Sequence, residues 1–153
     1  MALYVVQHGK SRPKLEDPRQ GLCTEGVSDF QRIAQVAAQY QVRVSCILHS
    51  GKTRAAQTAD LLAAALSPPQ GIRQIAGIGP LDDAPAFASS LDMEKGTMIV
   101  GHLPFLERLV ACLVTGRTTP PIFQMQNGGI VCLDYYPQTT QPVIRWALMP
   151  QVG

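Results

Sequence analysis

The sequence predicts an α/β fold in a single domain of residues 1–153, for two reasons. Three short apolar runs each lead into a segment of helical periodicity, as strands lead into helices in such folds. Two later strand-like runs, separated by a turn, predict an antiparallel hairpin added to the sheet. A chain of 153 residues is also long enough to bury a substantial core without disulfides or metals.

The predicted strands are apolar runs that end at polar or turn-forming residues. The first turns polar directly after Val6, and its lack of alternation is typical of a strand buried on both faces. The predicted strands, including one short segment, are Leu3–Val6, Val42–Leu48, Ile72–Ile75, Met98–Val100, Ile130–Leu133 and Val143–Leu148.

The predicted helices carry apolar residues at intervals of three and four positions. Thr24 to Gly26 begins the first helix, and Ser50 is expected to cap a second over Lys52–Leu66. Asp83 is expected to cap a short third helix, and Pro104 begins the last.

Composition excludes several classes of function. A net charge of +2 is too small to indicate nucleic acid or an acidic membrane surface as a partner. The start of the chain does not resemble a secretion signal, and no apolar run reaches the length of a membrane span, so we expect a cytoplasmic protein.

Cys46, Cys112 and Cys132 lie in apolar runs and are expected to be reduced core thiols. No cluster of metal ligands is evident, and no cofactor is expected.

Three polar side chains follow the three predicted strands that lead into helices. His8 comes after the first, Arg54 lies in the first turn of the helix after the second, and His102 comes after the third. If these strands are parallel, the three side chains meet over one crevice at the carboxyl ends of the strands, where α/β sheets bind ligands. Helix N-termini pointing into that crevice would favour an anion.

These segments resemble the histidine phosphatase superfamily, and within it the small SixA-type phosphohistidine phosphatases. Gln7-His8-Gly9 is similar to the family's Arg-His-Gly signature, and Gly101-His102-Leu103-Pro104 to its Gly-His-x-Pro. Ser50 and Arg54, followed by Thr58-Ala59, match its second signature. A loop resembling the family's Asp-x-x-Arg-x-Leu-Thr-x-x-Gly runs from Asp17 to Gly26, with Gln20 at the arginine position.

The resemblance covers nearly the whole chain and implies a three-layer sandwich, with a mixed, mainly parallel sheet between helices. It implies that His8 is the nucleophile and that Arg54 and His102 bind the phosphoryl group, as catalytic residues that need no metal. Ser50 and Gln7 are further phosphate-binding candidates. Gln7 stands where the family has arginine. Its neutral amide lacks the positive charge and the five N–H donors of a guanidinium. Losing one such donor can cost about 10²–10³ in rate.

The expected reaction is hydrolysis of phosphohistidine on a partner such as a histidine-phosphotransfer or phosphorelay protein. Hydrolysing a phosphate ester requires a general acid, and only Asp82 and Asp83 resemble an inserted acidic pair. A phosphatase for small phosphomonoesters, and a phosphate-binding module made weakly active by Gln7, remain alternatives. Lys10, Arg12 and Arg19 are the candidates to return a charge to the site. No family motif uses His49, which is expected to be structural or incidental. The sequence leaves the oligomeric state open, with a monomer as one reading.

Overall fold

The computed structural model describes residues 1–152 and contains a mixed six-stranded sheet with helices on both faces. The elements follow in the order β1 (Leu3–Gln7), α1 (Thr24–Gln39), β2 (Cys46–His49), α2 (Thr53–Leu66), β3 (Ile72–Gln74), α3 (Ala84–Ser90), a 3₁₀ turn (Met93–Lys95), β4 (Thr97–Gly101), α4 (Phe105–Thr115), β5 (Ile130–Tyr135) and β6 (Pro142–Leu148). The predicted fold class is confirmed.

The strand order in the sheet is β3-β2-β4-β1-β5-β6. The first four of these strands are parallel, and β5 and β6 form the predicted antiparallel hairpin. Because β1, β2 and β4 run in the same direction, the segments that follow them leave the sheet at the same edge. The topology therefore brings the three predicted junctions together.

The strand β1 separates the two halves of the core. Tyr4 and Val6 face the cluster formed with α1 and α2, which includes Phe30 and Leu62. Leu3 and Val5 face the cluster formed with α3 and α4. All five β1 residues are buried, which confirms the prediction for Leu3–Val6 and extends it to the polar Gln7. Full burial of each large apolar side chain stabilises the fold by about 1.5–3 kcal/mol, so β1 is held from both faces.

The boundaries differ from the predicted ones mainly at β2. The sequence predicts a strand from Val42, but β2 begins at Cys46. Gln41 adopts a left-handed backbone with φ 57°, and the chain turns before it joins the sheet. Val44 is nonetheless buried, so the apolar pattern reports packing against the core rather than strand pairing. Cys46 and Cys132 are buried free thiols as predicted, whereas Cys112 is only partly buried.

None of the helices within residues 1–152 combines the length and apolar character needed to cross a bilayer.

Candidate active site

His8 lies directly after β1, with its backbone fixed from two sides. Its N–H donates to the carbonyl of Gly101 at the end of β4, at 3.1 Å. Its carbonyl accepts from the side-chain amide of Asn127 at 3.2 Å and from the N–H of Gly128 at 3.1 Å. These bonds hold the residue in place although it has left the strand.

The hydrogen bonds of the His8 ring determine its tautomer. Nδ1 lies 2.7 Å from the carbonyl oxygen of Gly9, which can only accept, so Nδ1 carries the proton. Nε2 therefore holds a lone pair, and it accepts from Nε of Arg54 at 3.3 Å. Burial lowers the pKa of His8, and the charge of Arg54 adds to this, against the opposing effect of the Gly9 hydrogen bond. At neutral pH the ring is an uncharged base with Nε2 as its free nucleophilic atom.

Arg54 lies in the first turn of α2, as predicted, and is partly buried. A cation at a helix N-terminus opposes the helix dipole, and the first turn of α2 contains no acidic residue to offset it. Arg54 also forms no ion pair with a carboxylate among residues 1–152. An anion bound at this helix terminus would offset both the dipole and the unpaired charge.

His102 follows β4 and lies beside His8, with ring centroids 5.1 Å apart and ring planes tilted by 50°. Its Nε2 is 2.5 Å from the hydroxyl oxygen of Ser50, whereas its buried Nδ1 has no hydrogen-bond partner among the described residues. Burial lowers the pKa of His102 to about 3, with smaller contributions from His8, Arg54 and Lys52. His102 is therefore neutral in the unliganded site.

The predicted helix cap at Ser50 is wrong. Lys52 occupies the N-cap position of α2 and makes no side-chain capping bond. The Ser50 hydroxyl instead contacts His102 and accepts a weak hydrogen bond from the backbone N–H of Lys52, at 3.4 Å. Ser50 thus joins the β2 and β4 junctions, and this direct contact places it in the candidate site.

Gln7 is the one predicted site residue whose side chain makes no hydrogen bond to the others. It is the last residue of β1 and only 7% exposed. Its side-chain oxygen, Oε1, is buried and has no hydrogen-bond partner within residues 1–152. An unpaired buried amide is costly in a folded protein. Gln7 therefore lies next to His8 with hydrogen-bonding capacity that the protein itself does not use.

The three loop cations suggested as replacements for the missing arginine lie elsewhere. Lys10 pairs with Glu25 at 2.7 Å on the surface. Arg12 and Arg19 are exposed and lie near Asp17. Hydrogen bonds from the backbones of Gly21 and Arg19 lower the pKa of Asp17, and the charges of Arg12 and Arg19 lower it further. None of these side chains makes a hydrogen bond to the two site histidines.

The acidic pair and the remaining histidine serve local structure. Asp82 accepts from the N–H of Gly79 at 2.7 Å, and Asp83 caps α3 through the N–H of Ala86 at 3.0 Å, as predicted for Asp83. His49 accepts from the N–H of Gly51 at 3.0 Å and so closes a turn. Each of these three side chains is therefore engaged in the loop or helix to which it belongs.

Two supports of the site were not identified from the sequence. Thr58 is fully buried in α2; its hydroxyl accepts from the N–H of Gly9 at 3.0 Å and donates to the carbonyl of Arg54 at 2.8 Å. Asn127, predicted only as part of a turn, holds the His8 carbonyl. The Asn-Gly-Gly sequence before β5 indicates a turn, but it does not indicate that Asn127 bonds to His8, which lies 119 positions away in the chain.

Among residues 1–152, no group of three or more His, Cys, Asp or Glu side chains is placed to hold a metal ion. The chemistry available from the described side chains is that of two neutral imidazoles, a guanidinium and a hydroxyl around one helix N-terminus.

Comparison with known proteins gives whole-length matches. No protein-family model matches the chain. It is 25% identical over 156 residues to the phosphohistidine phosphatase SixA of Escherichia coli K12, across 98% of this chain and 94% of that protein. It is 30% identical over 142 residues to an uncharacterized protein of a Picosynechococcus strain, across 87% of this chain and 84% of that one.

Solved structures share the fold at lower identity. The protein histidine phosphatase SixA complexed with tungstate superposes with a TM-score of 0.81 at 20% identity, over 98% of this chain and 97% of that chain. A phosphoserine phosphatase of Entamoeba histolytica in complex with 3-phosphoglyceric acid superposes with a TM-score of 0.71 at 16% identity, over 95% of both chains.

Proposed function

The chain belongs to the histidine phosphatase superfamily, in its SixA-type branch, and from that premise we propose that it hydrolyses phosphohistidine on a partner protein through a phosphoenzyme on His8. The family supports a phosphatase, a hydrolase of phosphoryl groups. The nucleophile, the intermediate and the protein substrate are the parts that this proposal adds.

The state of the His8 ring is the observation that carries the proposal. A nucleophile at phosphorus needs a lone pair on an atom that faces the substrate. The bond from Nδ1 to the Gly9 carbonyl leaves that lone pair on Nε2, and Arg54 lies 3.3 Å from it. The guanidinium that contacts the nucleophile in the free site is well placed to bind the oxygens of the phosphoryl group when it arrives.

The reaction then consists of two displacements at phosphorus. In the first, Nε2 of His8 forms a bond to phosphorus while the bond between phosphorus and the substrate imidazole breaks. The substrate imidazole leaves uncharged after its other ring nitrogen has taken a proton from solvent. In the second, water attacks the phosphohistidine, the bond to Nε2 breaks, and the proton of that water passes to solvent. Fixed cationic and polar donors stabilise the charge on the three transferring oxygens.

The hydrogen bonds of the two acids favour a phosphohistidine over a phosphate ester. An ester leaves as an alkoxide and needs a general acid, whereas an imidazole leaving group needs less help. Asp82 and Asp83 are both engaged in the turn and cap before α3. The E. coli relative is a phosphohistidine phosphatase by name, although a phosphoserine phosphatase shares the fold. A histidine-phosphotransfer or phosphorelay protein is the partner class that fits this chemistry.

The proposal can be tested by comparing three substrates. We expect release of phosphate from a histidine-phosphotransfer protein phosphorylated on histidine to be faster than from phosphoserine or an aryl phosphate. His8→Ala is expected to abolish both turnover and an acid-labile phosphoenzyme. His49→Ala is the matched control, since His49 lies outside the site, and should retain both.

Three outcomes would contradict the proposal. Phosphate trapped on a residue other than His8 would overturn the assigned nucleophile. Faster hydrolysis of phosphoserine than of the phosphohistidine protein would favour a small phosphomonoester as the substrate. Phosphate binding without turnover on any of the three would indicate a binding module.

A further inference from the structure

Two cations lie at the N-terminus of α2, and the proposed function uses only Arg54. The other is Lys52, at the N-cap position. Its side chain is exposed and forms no ion pair within the described part of the chain, where the ion pairs are Lys10–Glu25, Arg32–Asp29 and Arg145–Asp134. Two unpaired cations at the positive end of one helix dipole repel that end and each other.

The backbone places Lys52 beside the candidate site. Its N–H donates to the Ser50 hydroxyl, and the same hydroxyl contacts Nε2 of His102. The charge of Lys52 is also among those that lower the pKa of His102, so the ammonium is close enough to disfavour protonation of this ring. The buried Nδ1 of His102 is a second polar atom of the site without a partner among residues 1–152.

The site has few other sources of charge. Gln7 supplies an amide, and both site histidines are neutral in the unliganded protein. Lys10 is held by Glu25, while Arg12 and Arg19 lie beside Asp17. In the unliganded protein Arg54 is therefore the one cation within residues 1–152 that makes a hydrogen bond to a site histidine.

We propose that Lys52 is a substrate-binding residue that contacts the phosphoryl group, and that it supplies the second cation of this site in the absence of an arginine at position 7. The inference rests on the proposed function in one respect, since it takes the phosphoryl group to bind at His8. The ammonium of a lysine is a compact point charge on a flexible stem, so an exposed N-cap lysine can fold over an anion bound at the helix terminus.

The test measures anion binding without turnover. Inorganic phosphate is titrated into the wild type and into Lys52→Gln, with binding followed by calorimetry and by the ring signals of His8 and His102. Loss of one charge-assisted contact is expected to weaken phosphate binding about tenfold. Lys52→Arg should retain most of the affinity because it keeps the charge.

Lys95→Gln is the matched control. Lys95 is also exposed, but it ends the 3₁₀ turn before β4, whereas the site lies after that strand. The two ends of the five-residue strand are about 13–17 Å apart. The control should bind phosphate as the wild type does, which separates a local contact from a change in net charge.

A double substitution tests whether Lys52 replaces the missing arginine. In a Gln7→Arg background, the loss caused by Lys52→Gln should fall from about tenfold to less than about threefold, because residues that act on the same group are coupled. Equal losses in the two backgrounds would overturn this part of the proposal.

Two results would overturn the contact itself. One is phosphate binding by Lys52→Gln that matches the Lys95→Gln control. The other is unchanged phosphate affinity with a raised KM for the phosphorylated protein only, which would place Lys52 against the partner's surface. The phosphate affinity that decides both results is measured without hydrolysis, so they stay separate from a failure of the proposed reaction.

Discussion

Gln7 stands where the Arg-His-Gly signature that this segment resembles has arginine. Its amide is nearly fully buried beside His8, and Oε1 has no partner among the described residues. Oε1 can only accept a hydrogen bond, so a phosphoryl oxygen would bind the N–H₂ group of the same amide. The departure therefore lowers the charge of the site and retains one donor.

We predict that Gln7→Arg raises turnover on a phosphohistidine protein by up to about 10²-fold, since a guanidinium fork adds preorganised charge where a neutral amide stands. The same change should lower the free energy of unfolding without anion, because a buried charge then lacks a partner. Phosphate should restore that loss. Steady-state kinetics and urea unfolding with and without phosphate measure both effects.

Gln7→Ala is the matched comparison and should lower turnover only slightly, because a neutral amide donor contributes less than a charged one. A Gln7→Arg variant that folds as the wild type does and shows unchanged or lower turnover would contradict the arrangement proposed for position 7.

Sequence alone predicts the reactive groups of the site but not their contacts. His8, Arg54 and His102 are predictable because each follows a strand of one parallel set, and such strands end at one edge. The Ser50–His102 bond is not predictable, since its partners lie 52 positions apart and a serine before a helix normally indicates a cap. The pairing of Lys10 with Glu25 depends on how the loop after β1 folds back, which local patterns do not specify.

At the level of secondary structure, the site depends on how β1 and α2 are joined. The Thr58 hydroxyl bonds to the N–H of Gly9 and to the carbonyl of Arg54, so one side chain connects the turn after His8 with the turn that holds Arg54. Gly9 and Thr58 are both buried, so water does not replace these bonds easily.

We predict that Thr58→Val destabilises the protein by about 1–3 kcal/mol, because it keeps the shape but leaves the Gly9 N–H unpaired and buried. It should also lower kcat, since His8 then loses part of its support. Urea unfolding and steady-state turnover measure these effects.

Thr115→Val in α4 is the control for that substitution. The Thr115 hydroxyl makes the same type of bond to a carbonyl four residues earlier, at Ala111, but Thr115 is exposed. Its change in the free energy of unfolding should stay within about ±0.5 kcal/mol. Equal effects of the two substitutions would show that Thr58 has no special role in joining the two elements.

The whole molecule holds two neutral imidazoles in its interior, and this couples its stability to pH. Burial lowers the folded-state pKa of His8, and that of His102 falls to about 3, whereas an unfolded histidine titrates near 6.5. Between these pH values the unfolded chain binds more protons than the folded chain. Stability contributed by the neutral rings is therefore complete above pH 6.5 and is lost as the pH falls through this window.

We predict that the free energy of unfolding of the wild type falls between pH 7.5 and 5.0 more steeply than that of His102→Gln, measured by urea unfolding at matched ionic strength. Glutamine stays neutral throughout, so the variant loses the proton uptake of one imidazole. The comparison uses only the two slopes of the free energy of unfolding against pH, because the substitution also changes the absolute stability. Carboxylates titrate mainly below this range and affect both proteins alike. Equal slopes would mean that His102 takes up its proton in the folded protein over the same pH range as in the unfolded chain, and this would contradict the lowered pKa.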